Sequence, residues 1–472
     1  MTDRLFDRTE VTKSLVAALV AILTVLLCVL PMGELPLWNG EKPGHRNQYE
    51  LMAEAILEGR ITFDYGDEDA LLALDNPYDP EERKAARVPY HWDHAYYDGQ
   101  YYMYFGIVPV FLAFLPYRLL TGEALTTYHA TQLFVAVAIV GIFVLFRTLR
   151  RRFFPSLPYG ICLCLSVAFS VMSVWYATAE PALYCTAITA AIMLMVWSLY
   201  FFIRGVWVEE RENRQIALAA AGALLGALAF GCRPPIALTN LLVIPALVEF
   251  LRRRKFTVKL LGKLALAALP YLVVGVSLMV YNTVRFDDPF EFGQAYQLTV
   301  ADQSQYRVTL NGEMLKRIVK GLGEMFFDHN GRTAAFPFVR TNGVFLNFPI
   351  LFLSLGIADP RAFRAMREKR LSWLMLGLAV TVLVITAFDV MWSPYLLERY
   401  RMDVYFLMGL LCFLAVGLWY ESADKWTRRG IVTLVTVMSA VTVISAFLLY
   451  LCRVNVSYPD RVSAIAAALG LG

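Results

Sequence analysis

Residues 128–152 read YHATQLFVAVAIVGIFVLFRTLRRR, an apolar run of spanning length that ends in Arg147, Arg150, Arg151 and Arg152. An uninterrupted apolar run of this length predicts a transmembrane helix. Arginines that follow such a helix favour the cytoplasmic side of the membrane. The stretch therefore predicts one helix of a membrane protein and the side on which that helix ends.

The composition of the whole chain agrees with this prediction. The chain has 472 residues, of which 58% are hydrophobic and 17% are charged, whereas soluble domains are roughly half apolar and a quarter charged. The net charge of +4 gives no support for a nucleic-acid partner. The seven cysteines are scattered through apolar segments, which is not the pattern of a disulfide scaffold or a zinc site.

Apolar segments recur along the entire chain, with no soluble domain or repeat between them. They cover 14–32, 104–120, 128–148, 158–176, 181–203, 216–232, 236–251, 260–282, 343–358, 372–388, 404–420 and 430–452. The first is followed by Pro31-Met32-Gly33-Glu34 and not by a small-x-small cleavage site, so we expect a retained span. We predict a single membrane domain over 1–472.

Five basic clusters determine the predicted topology. They are Arg147/Arg150/Arg151/Arg152, Arg204/Arg211/Arg214, Arg252/Arg253/Arg254/Lys255/Lys259/Lys263, Arg361/Arg364/Arg367/Lys369/Arg370 and Lys425/Arg428/Arg429. Each is two spans from the next, and the positive-inside rule places all of them in the cytoplasm. With a cytoplasmic N-terminus, this holds only if 104–120 does not cross. The alternative is a normal span at 104–120 with the N-terminus placed on the wrong side.

The predicted fold is thus an all-α polytopic membrane protein with about eleven full transmembrane helices and one re-entrant or short helix at 104–120. Two large extracytoplasmic loops follow, at 33–103 and 283–342. Amphipathic periodicity predicts a surface helix in each loop, at 45–60 and at 312–327. Glu50 lies near the start of the first of these helices, on an acidic stripe that is typical of a solvated face.

The densest aromatic stretch, Tyr90 to Gly106, reads YHWDHAYYDGQYYMYFG and ends the first loop. Asp98-Gly99 between aromatic runs predicts a hairpin turn. Asp93 has no such explanation. An acid flanked by imidazoles and rings at a membrane surface fits a general base with a raised pKa, and it equally fits a hydrogen-bonded anchor of the loop.

The same stretch supplies the other candidates of the predicted site. We predict that His91, Trp92, Tyr97 and Asp98 contact the ligand of this site. His91, Asp93 and His94 are also residue types that hold divalent metals, although three ligands within four residues need a specific backbone shape. The sequence leaves a metal requirement open.

Arginines at the predicted outer edge of the membrane suit a phosphate. Arg233 and Arg399 lie in or beside short loops and Arg285 opens the second large loop, and guanidinium groups bind phosphate through paired hydrogen bonds. Snorkelling toward lipid headgroups is the alternative for each one. No Walker loop, GxGxxG, HExxH or GxSxG motif is present, so the sequence does not predict a nucleotide site.

The chain resembles the GT-C superfamily of membrane glycosyltransferases, in particular the bacterial set related to protein mannosyltransferases and lipid A aminoarabinose transferases. The resemblance covers mainly residues 10–235. It rests on the Tyr49…Ala53…Ala55…Gly59 helix after the first span, the segment that enters the membrane around Pro109, the arginine-rich turn at 147–152 and the Ala-Thr-Ala-Glu-Pro-Ala-Leu loop at 177–183.

The resemblance implies an inverting transferase of the plasma membrane that takes its sugar from a polyprenyl phosphate and gives it to a cell-envelope acceptor. It also implies a first-loop acid as base and a second acid at Glu180. In such an enzyme the predicted ligand contacts of His91, Trp92, Tyr97 and Asp98 are contacts with the sugar or the acceptor. The aspartate that usually precedes the tyrosine of the first-loop helix is missing, because His45-Arg46-Asn47 occupies that region. The base is therefore open between Asp93 and Glu50, and an inactive member is a third interpretation.

A lipid or small-molecule transporter is the competing class. Transporters place ionisable groups near the middle of the membrane, on broken helices and often in repeated halves. The predicted spans are nearly free of charge and no internal repeat is present. The position of the largest polar cavity distinguishes the two classes: under the first loop for a transferase, at mid-membrane for a transporter.

Overall fold

The structure is a computed structural model that describes residues 8–27, 47–181, 183–252, 254–306, 308–393 and 396–471. The end of the predicted first span and the beginning of the first loop, including His45 and Arg46, lie outside the described residues.

In the described part of the chain, five α-helices come before α6. They are α1 (Arg8–Leu27), α2 (Gln48–Leu57), α3 (Glu68–Leu72), α4 (Pro80–Ala86) and α5 (Leu115–Thr121). Nine helical segments among the described residues are long and apolar enough to cross a membrane. They are α6 (Thr127–Phe153), α7 (Tyr159–Ala179), α8 with its π-helical end (Leu183–Val208), α9 (Glu212–Phe230), α10 and α11 (Pro234–Leu251), α12 (Val258–Phe286), α16 (Ser372–Trp392), α17 with its preceding turn (Glu398–Ser422) and α18 (Lys425–Ser457).

The remaining helices are α13 (Gly312–Phe327), α14 (Val344–Asn347), α15 (Pro360–Glu368) and α19 (Pro459–Ala468). The buried core runs through the bundle, where α6 packs on α8, α7 on α18, and α17 on α7 and α16. The prediction of an all-α polytopic membrane protein is confirmed.

The segment 104–120 forms a short helix, as predicted. A π-helical turn and α5 together cover Val110–Thr121, about 18 Å at the α-helical rise and well short of the roughly 30 Å of a bilayer core. Arg150, near the end of α6, donates to Glu10 of α1 at 3.0 Å, while Thr127 at the start of α6 donates its N–H to Glu50 of α2 at 3.1 Å. The chain between α2 and α6 therefore begins and ends at the same end of the bundle, opposite the contact between Arg150 and Glu10.

The segment 343–358 differs from the predicted full span. It forms α14 and then a 3₁₀ helix, Pro349–Ala358, that packs on α17. Phe348 has a non-helical backbone conformation between them, and Pro349 has no N–H to continue the preceding helix. A ten-residue 3₁₀ helix is about 20 Å long. The segment is therefore a broken helix, with Ile350, Leu351 and Leu353 buried against the bundle and Phe352 and Leu355 exposed.

The five basic clusters meet at one end of the bundle. Contacts between them and their surroundings join Arg152 to Trp207 O, Lys369 to Phe153 O, Arg370 to Glu249 and Arg361 to Asp424. Glu10 pairs with Arg147, Arg150 and Arg151 at the same end. We refer to this as the basic end of the bundle; the two large loops cover the opposite end.

The two loops are joined through a small antiparallel sheet of β1 (Thr62–Phe63), β2 (Ala95–Tyr97) and β3 (Gln100–Tyr102), in the order β1-β3-β2. Asp98 and Gly99 connect β2 to β3 with φ of 48° and 73°, the left-handed pair that a two-residue hairpin turn requires. Asp98 is therefore a turn residue. Tyr96 N–H donates to Tyr296 O at 2.9 Å, which ties the first loop to the second.

Candidate active site

A cavity of about 400 Å³ lies beneath the two loops, at the end of the bundle opposite the basic end. Its walls come from the first loop, residues 104–107 before the short helix, the second loop, residues 231–235 and the ends of α8, α9, α12, α16 and α17. The charged residues that line it are Asp93, Arg233, Arg285, Asp389 and Arg399. Residues as far apart in the chain as Trp92 and Tyr400 thus meet at one place.

Asp93 is held from several directions at once. It has φ of 56°, in the left-handed region that few residues other than glycine, asparagine and aspartate adopt, and only 2% of its surface is exposed. Its N–H donates to Leu298 O at 2.9 Å, and its own carbonyl accepts from Gln48 at 2.8 Å. The Tyr184 hydroxyl and the Gln297 amide, the latter at 2.7 Å, donate to the two carboxylate oxygens. This network fixes the carboxylate at the cavity wall.

Burial raises the pKa of Asp93 above the ordinary aspartate value. The hydrogen bonds from Tyr184 and Gln297 and the positive charge of Arg399 act in the opposite direction. The carboxylate is thus partly desolvated and still stabilised as an anion, which is the condition that a general base near neutral pH requires.

Arg399 is the cation nearest to this carboxylate network. Its guanidinium carbon lies 4.0 Å from the centre of the Tyr184 ring. Among the described residues no carboxylate forms an ion pair with Arg399, and its buried Nε has no hydrogen-bond partner. Tyr184 consequently contacts both the carboxylate and the guanidinium, and Arg399 keeps its charge available to a ligand.

Arg233 lines the same cavity but is already paired. Its Nε and Nη2 donate to Asp403 at 2.9 and 2.7 Å, in a bidentate ion pair whose carboxylate is buried. Asp389 lies beside this pair on the cavity wall, with one buried oxygen that has no hydrogen-bond partner. The structure therefore brings Arg233 and Arg399 to one cavity. The charge of Arg233 is balanced by Asp403, whereas Arg399 has no ion pair among the described residues.

Arg285, the third predicted cation, also reaches the cavity. It is buried, and it donates to Met103 O and to Asn282 at 2.7 Å each, so it holds the end of the first loop against α12. Its guanidinium lies over the Tyr281 ring at 4.0 Å. Arg285 contributes positive charge to the cavity mainly from behind its wall.

Glu50, the alternative base, and Glu180, the predicted second acid, are not part of the lining of this cavity. Glu50 is buried at the start of α6, where it accepts the Thr127 N–H. Glu180 ends α7 and pairs with Arg453 of α18 at 2.6 Å, with 41% of its side chain exposed. Glu50 bonds to a backbone N–H and Glu180 pairs with an arginine, both away from the cavity, so Asp93 is the predicted acid that the structure places at the cavity.

Of the residues predicted to contact the sugar or the acceptor, some line the cavity and others do not. Trp92 lines the cavity and is half exposed. His91 stacks on Tyr65 and pairs with Asp67 at 3.3 Å, and Tyr97 donates to Asp287 at 3.2 Å. His91, Tyr97 and Asp98 therefore support the loop and lie outside the cavity lining.

The His91, Asp93 and His94 cluster does not converge on a metal. His94 Nε2 faces the Tyr65 hydroxyl at 2.8 Å and Nδ1 faces Trp92 O at 3.0 Å, and burial lowers the pKa of this imidazole to about 4. His91 and Asp93 point to the different partners given above. Within the described ranges, no group of three or more metal-ligating side chains comes together.

Four residues of the site were not predicted from the sequence: Tyr184, Gln297, Asp389 and Asp403. The two acids could have been predicted. Asp389 and Asp403 are the first and last residues of the predicted short loop that carries Arg399, and ionisable groups at the membrane are expected to be paired. Tyr184 and Gln297 act through contacts that span 91 and 204 residues of sequence, for which the pattern gives no signal.

The fold and the site together define a class: a polytopic all-α membrane protein with a carboxylate and a guanidinium at a cavity under its loops. No family model and no curated protein matches the chain. Among solved structures, ArnT from Cupriavidus metallidurans bound to undecaprenyl phosphate is 16% identical with a TM-score of 0.49, and the match covers 98% of this chain and 80% of that chain.

A second similar structure is the archaeal oligosaccharyltransferase AglB from Archaeoglobus fulgidus, in complex with an inhibitory peptide and a dolichol-phosphate. It is 14% identical with a TM-score of 0.44. The match covers 92% of this chain and 56% of that chain, so this chain spans little more than half of AglB.

Proposed function

We propose that this chain is an integral membrane glycosyltransferase that moves a sugar from a polyprenyl-phosphate donor to the hydroxyl of a cell-envelope acceptor. The observation that carries the proposal is the shared contact of Tyr184 with Asp93 and Arg399 at one cavity. Only the Tyr184 side chain lies between the candidate base, Asp93, and the unpaired cation, Arg399. The sequence resemblance to GT-C transferases supports the same activity.

In the proposed reaction Asp93 takes the proton of the acceptor hydroxyl. The acceptor oxygen then forms a bond to the anomeric carbon while the bond from that carbon to the phosphate oxygen breaks. The electron pair of the broken bond stays with the polyprenyl phosphate, which leaves with one more negative charge. Attack opposite to the leaving group inverts the anomeric centre.

Arg399 is the residue best suited to stabilise the leaving phosphate. The charge that develops on the phosphate in the transition state is met by a guanidinium with no competing carboxylate, and hydrogen bonds between charged groups contribute about 1.5–3 kcal/mol. Arg233 faces the same space, but Asp403 already satisfies two of its donors. We therefore assign it a weaker role toward the phosphate.

The position of the cavity favours a transferase over a transporter. Trp92 and Asp93 of the first loop and Gln297 and Thr299 of the second loop contribute to its wall. A transport site is expected near the middle of the bundle, on discontinuous helices. A cavity beneath the loops instead suits chemistry at the membrane surface.

The basic clusters at one end of the bundle predict the orientation of the protein in the membrane. Positive clusters favour the cytoplasm, so we propose a multi-pass protein of the plasma membrane with a cytoplasmic N-terminus and an extracytoplasmic cavity. A polyprenyl-phosphate sugar would then reach the cavity from the outer leaflet.

The purified full chain should transfer radiolabel from a polyprenyl-phosphate sugar to envelope glycolipid or polysaccharide. Asp93→Asn keeps the shape of the side chain and removes the base, so we expect turnover to fall about 100- to 10,000-fold. Asp64→Asn changes an exposed acid of the same loop and is the matched control, with unchanged turnover expected. An Asp93→Asn protein as active as the control would contradict the assignment of the base, and no transfer from a panel of donors would contradict the function.

A further inference from the structure

A second groove lies beside the cavity, on the other side of Trp92. It has a volume of about 580 Å³ and shares Trp92, Thr299 and Val300 with the cavity. The rest of its lining comes from residues 80–90, which form α4 and the segment after it. We call it the basic groove. The basic groove and the cavity are therefore neighbours, with Trp92 in the wall of both.

The charge of the basic groove is opposite to that of its surroundings. The first loop carries 15 acidic and 6 basic residues between positions 33 and 103. Three of those six cations, Arg83, Lys84 and Arg87, line the groove beside a single carboxylate, Glu81. Half of the positive charge of an acidic loop is thus gathered next to the candidate active site.

Arg83 shows that this charge is built into the structure. Its side chain is 1% exposed, lies 4.5 Å from the centre of the Tyr90 ring, and donates to Pro77 O and Thr299 O at 2.7 Å each. Its Nε has no hydrogen-bond partner. In the described part of the chain no carboxylate pairs with Arg83, Lys84 or Arg87. A buried cation without a counter-ion is costly unless a ligand supplies the charge.

We propose that the basic groove binds an anionic group, a phosphate or a carboxylate, on the acceptor whose hydroxyl is presented to Asp93. This inference rests on the proposed function and names the class of acceptor: a hydroxyl-bearing envelope molecule that carries negative charge close to the reacting hydroxyl. A guanidinium fork and a lysine ammonium at the edge of a groove suit a phosphate especially well.

The anion can belong to a soluble molecule or to a lipid headgroup, and a binding experiment distinguishes them. The full chain in neutral detergent, with Arg399→Gln to remove the free cation of the cavity, is titrated calorimetrically with glycerol 1-phosphate and with dihexanoyl phosphatidylglycerol. Glycerol is the uncharged control ligand. Tighter binding of the phospholipid would identify a lipid headgroup as the source, and equal binding a soluble phosphate.

The variant Lys84→Gln/Arg87→Gln removes two positive charges from exposed positions and leaves buried Arg83 in place. We expect it to weaken phosphate binding about five- to tenfold. Arg60→Glu makes the same change in net charge elsewhere in the first loop and should leave the affinity unchanged. Unchanged binding in the double variant, or equal weakening in Arg60→Glu, would overturn the proposal.

This test does not depend on turnover. Asp93→Asn should bind glycerol 1-phosphate as the unaltered protein does, because Asp93 is outside the basic groove. If the chain proves inactive but the groove binds phosphate, the proposed function fails while the anion site stands. If the chain is active, the double variant should raise the KM for the acceptor and leave kcat unchanged; a KM equal to that of Arg60→Glu would contradict a role in acceptor binding.

Discussion

Tyr184 connects the two charged groups that we assign to catalysis. Its hydroxyl donates to Asp93 while its ring lies under the Arg399 guanidinium. A phenol that donates to a carboxylate stabilises the anion and lowers the pKa of the acid. Tyr184 is therefore a positioning residue that adjusts the basicity of Asp93 and the place of Arg399 together.

Tyr184→Phe should raise the pKa of Asp93 still further, because a hydrogen bond to the ionised form is lost. Asp93 acts as the anion, so kcat/KM falls as the pH drops through its pKa, which burial has already raised above the usual value near 3.9. The acidic limb of the pH–rate profile should move to higher pH in the variant, with kcat/KM at neutral pH reduced about tenfold. An unchanged acidic limb, with only a lower plateau, would indicate a purely structural tyrosine.

Substitution by lysine should have different effects at Arg399 and at Arg233. Lysine keeps the charge and loses the planar fork. Arg399→Lys loses stacking on Tyr184 and paired hydrogen bonds to the phosphate, so kcat should fall about tenfold or more. Arg233→Lys breaks the bidentate contact with Asp403 and should mainly lower thermal stability. Turnover measured beside the melting temperature of both variants tests this contrast, and equal effects on both quantities would contradict it.

At the scale of the helix, Glu50 stabilises the N-terminus of α6. The first N–H groups of a helix lack partners within it, and a carboxylate near the N-terminus also interacts favourably with the helix dipole. Glu50 accepts the Thr127 N–H in a buried position. This contact joins α2 to α6 and sets the end of the bundle beneath the first loop.

Glu50→Gln should lower the free energy of unfolding by about 1 kcal/mol and leave kcat nearly unchanged. The amide still offers an oxygen to the N–H but lacks the charge. A thermal melt in detergent measures the first quantity and the transfer assay measures the second. Loss of turnover at unchanged stability would instead return the role of base to Glu50.

Most spanning helices could be predicted from the sequence because each apolar run is long enough to satisfy its own backbone hydrogen bonds in lipid. The short helix at 104–120 followed from charge and proline content. The break in 343–358 did not, since its apolar composition fits a span equally well and the 3₁₀ geometry depends on packing against α17. At the site, Asp93, Arg233 and Arg399 stood out as charges without a local explanation, whereas Tyr184 and Gln297 are defined by tertiary contacts alone.

At the scale of the molecule, the two ends of the bundle have different chemistry. One end gathers the five basic clusters, and the other carries the loops, the cavity and the basic groove. Such an asymmetry orients a membrane protein, because positive loops are retained on the cytoplasmic side. It also places the donor phosphate, the acceptor and Asp93 on one surface.

Cysteine labelling tests this orientation and the short helix together. In a background without natural cysteines, Ala124→Cys and Val300→Cys should react with a membrane-impermeant maleimide in intact cells. Ser156→Cys and Glu368→Cys, exposed positions at the basic end, should react only after permeabilisation. Position 124 is decisive because it follows α5: if 104–120 crossed the membrane, this residue and the start of α6 would lie inside. Protection of Ala124→Cys while Val300→Cys reacts would therefore make 104–120 a true span, and it would separate Glu50 from Thr127 across the bilayer, in conflict with their hydrogen bond.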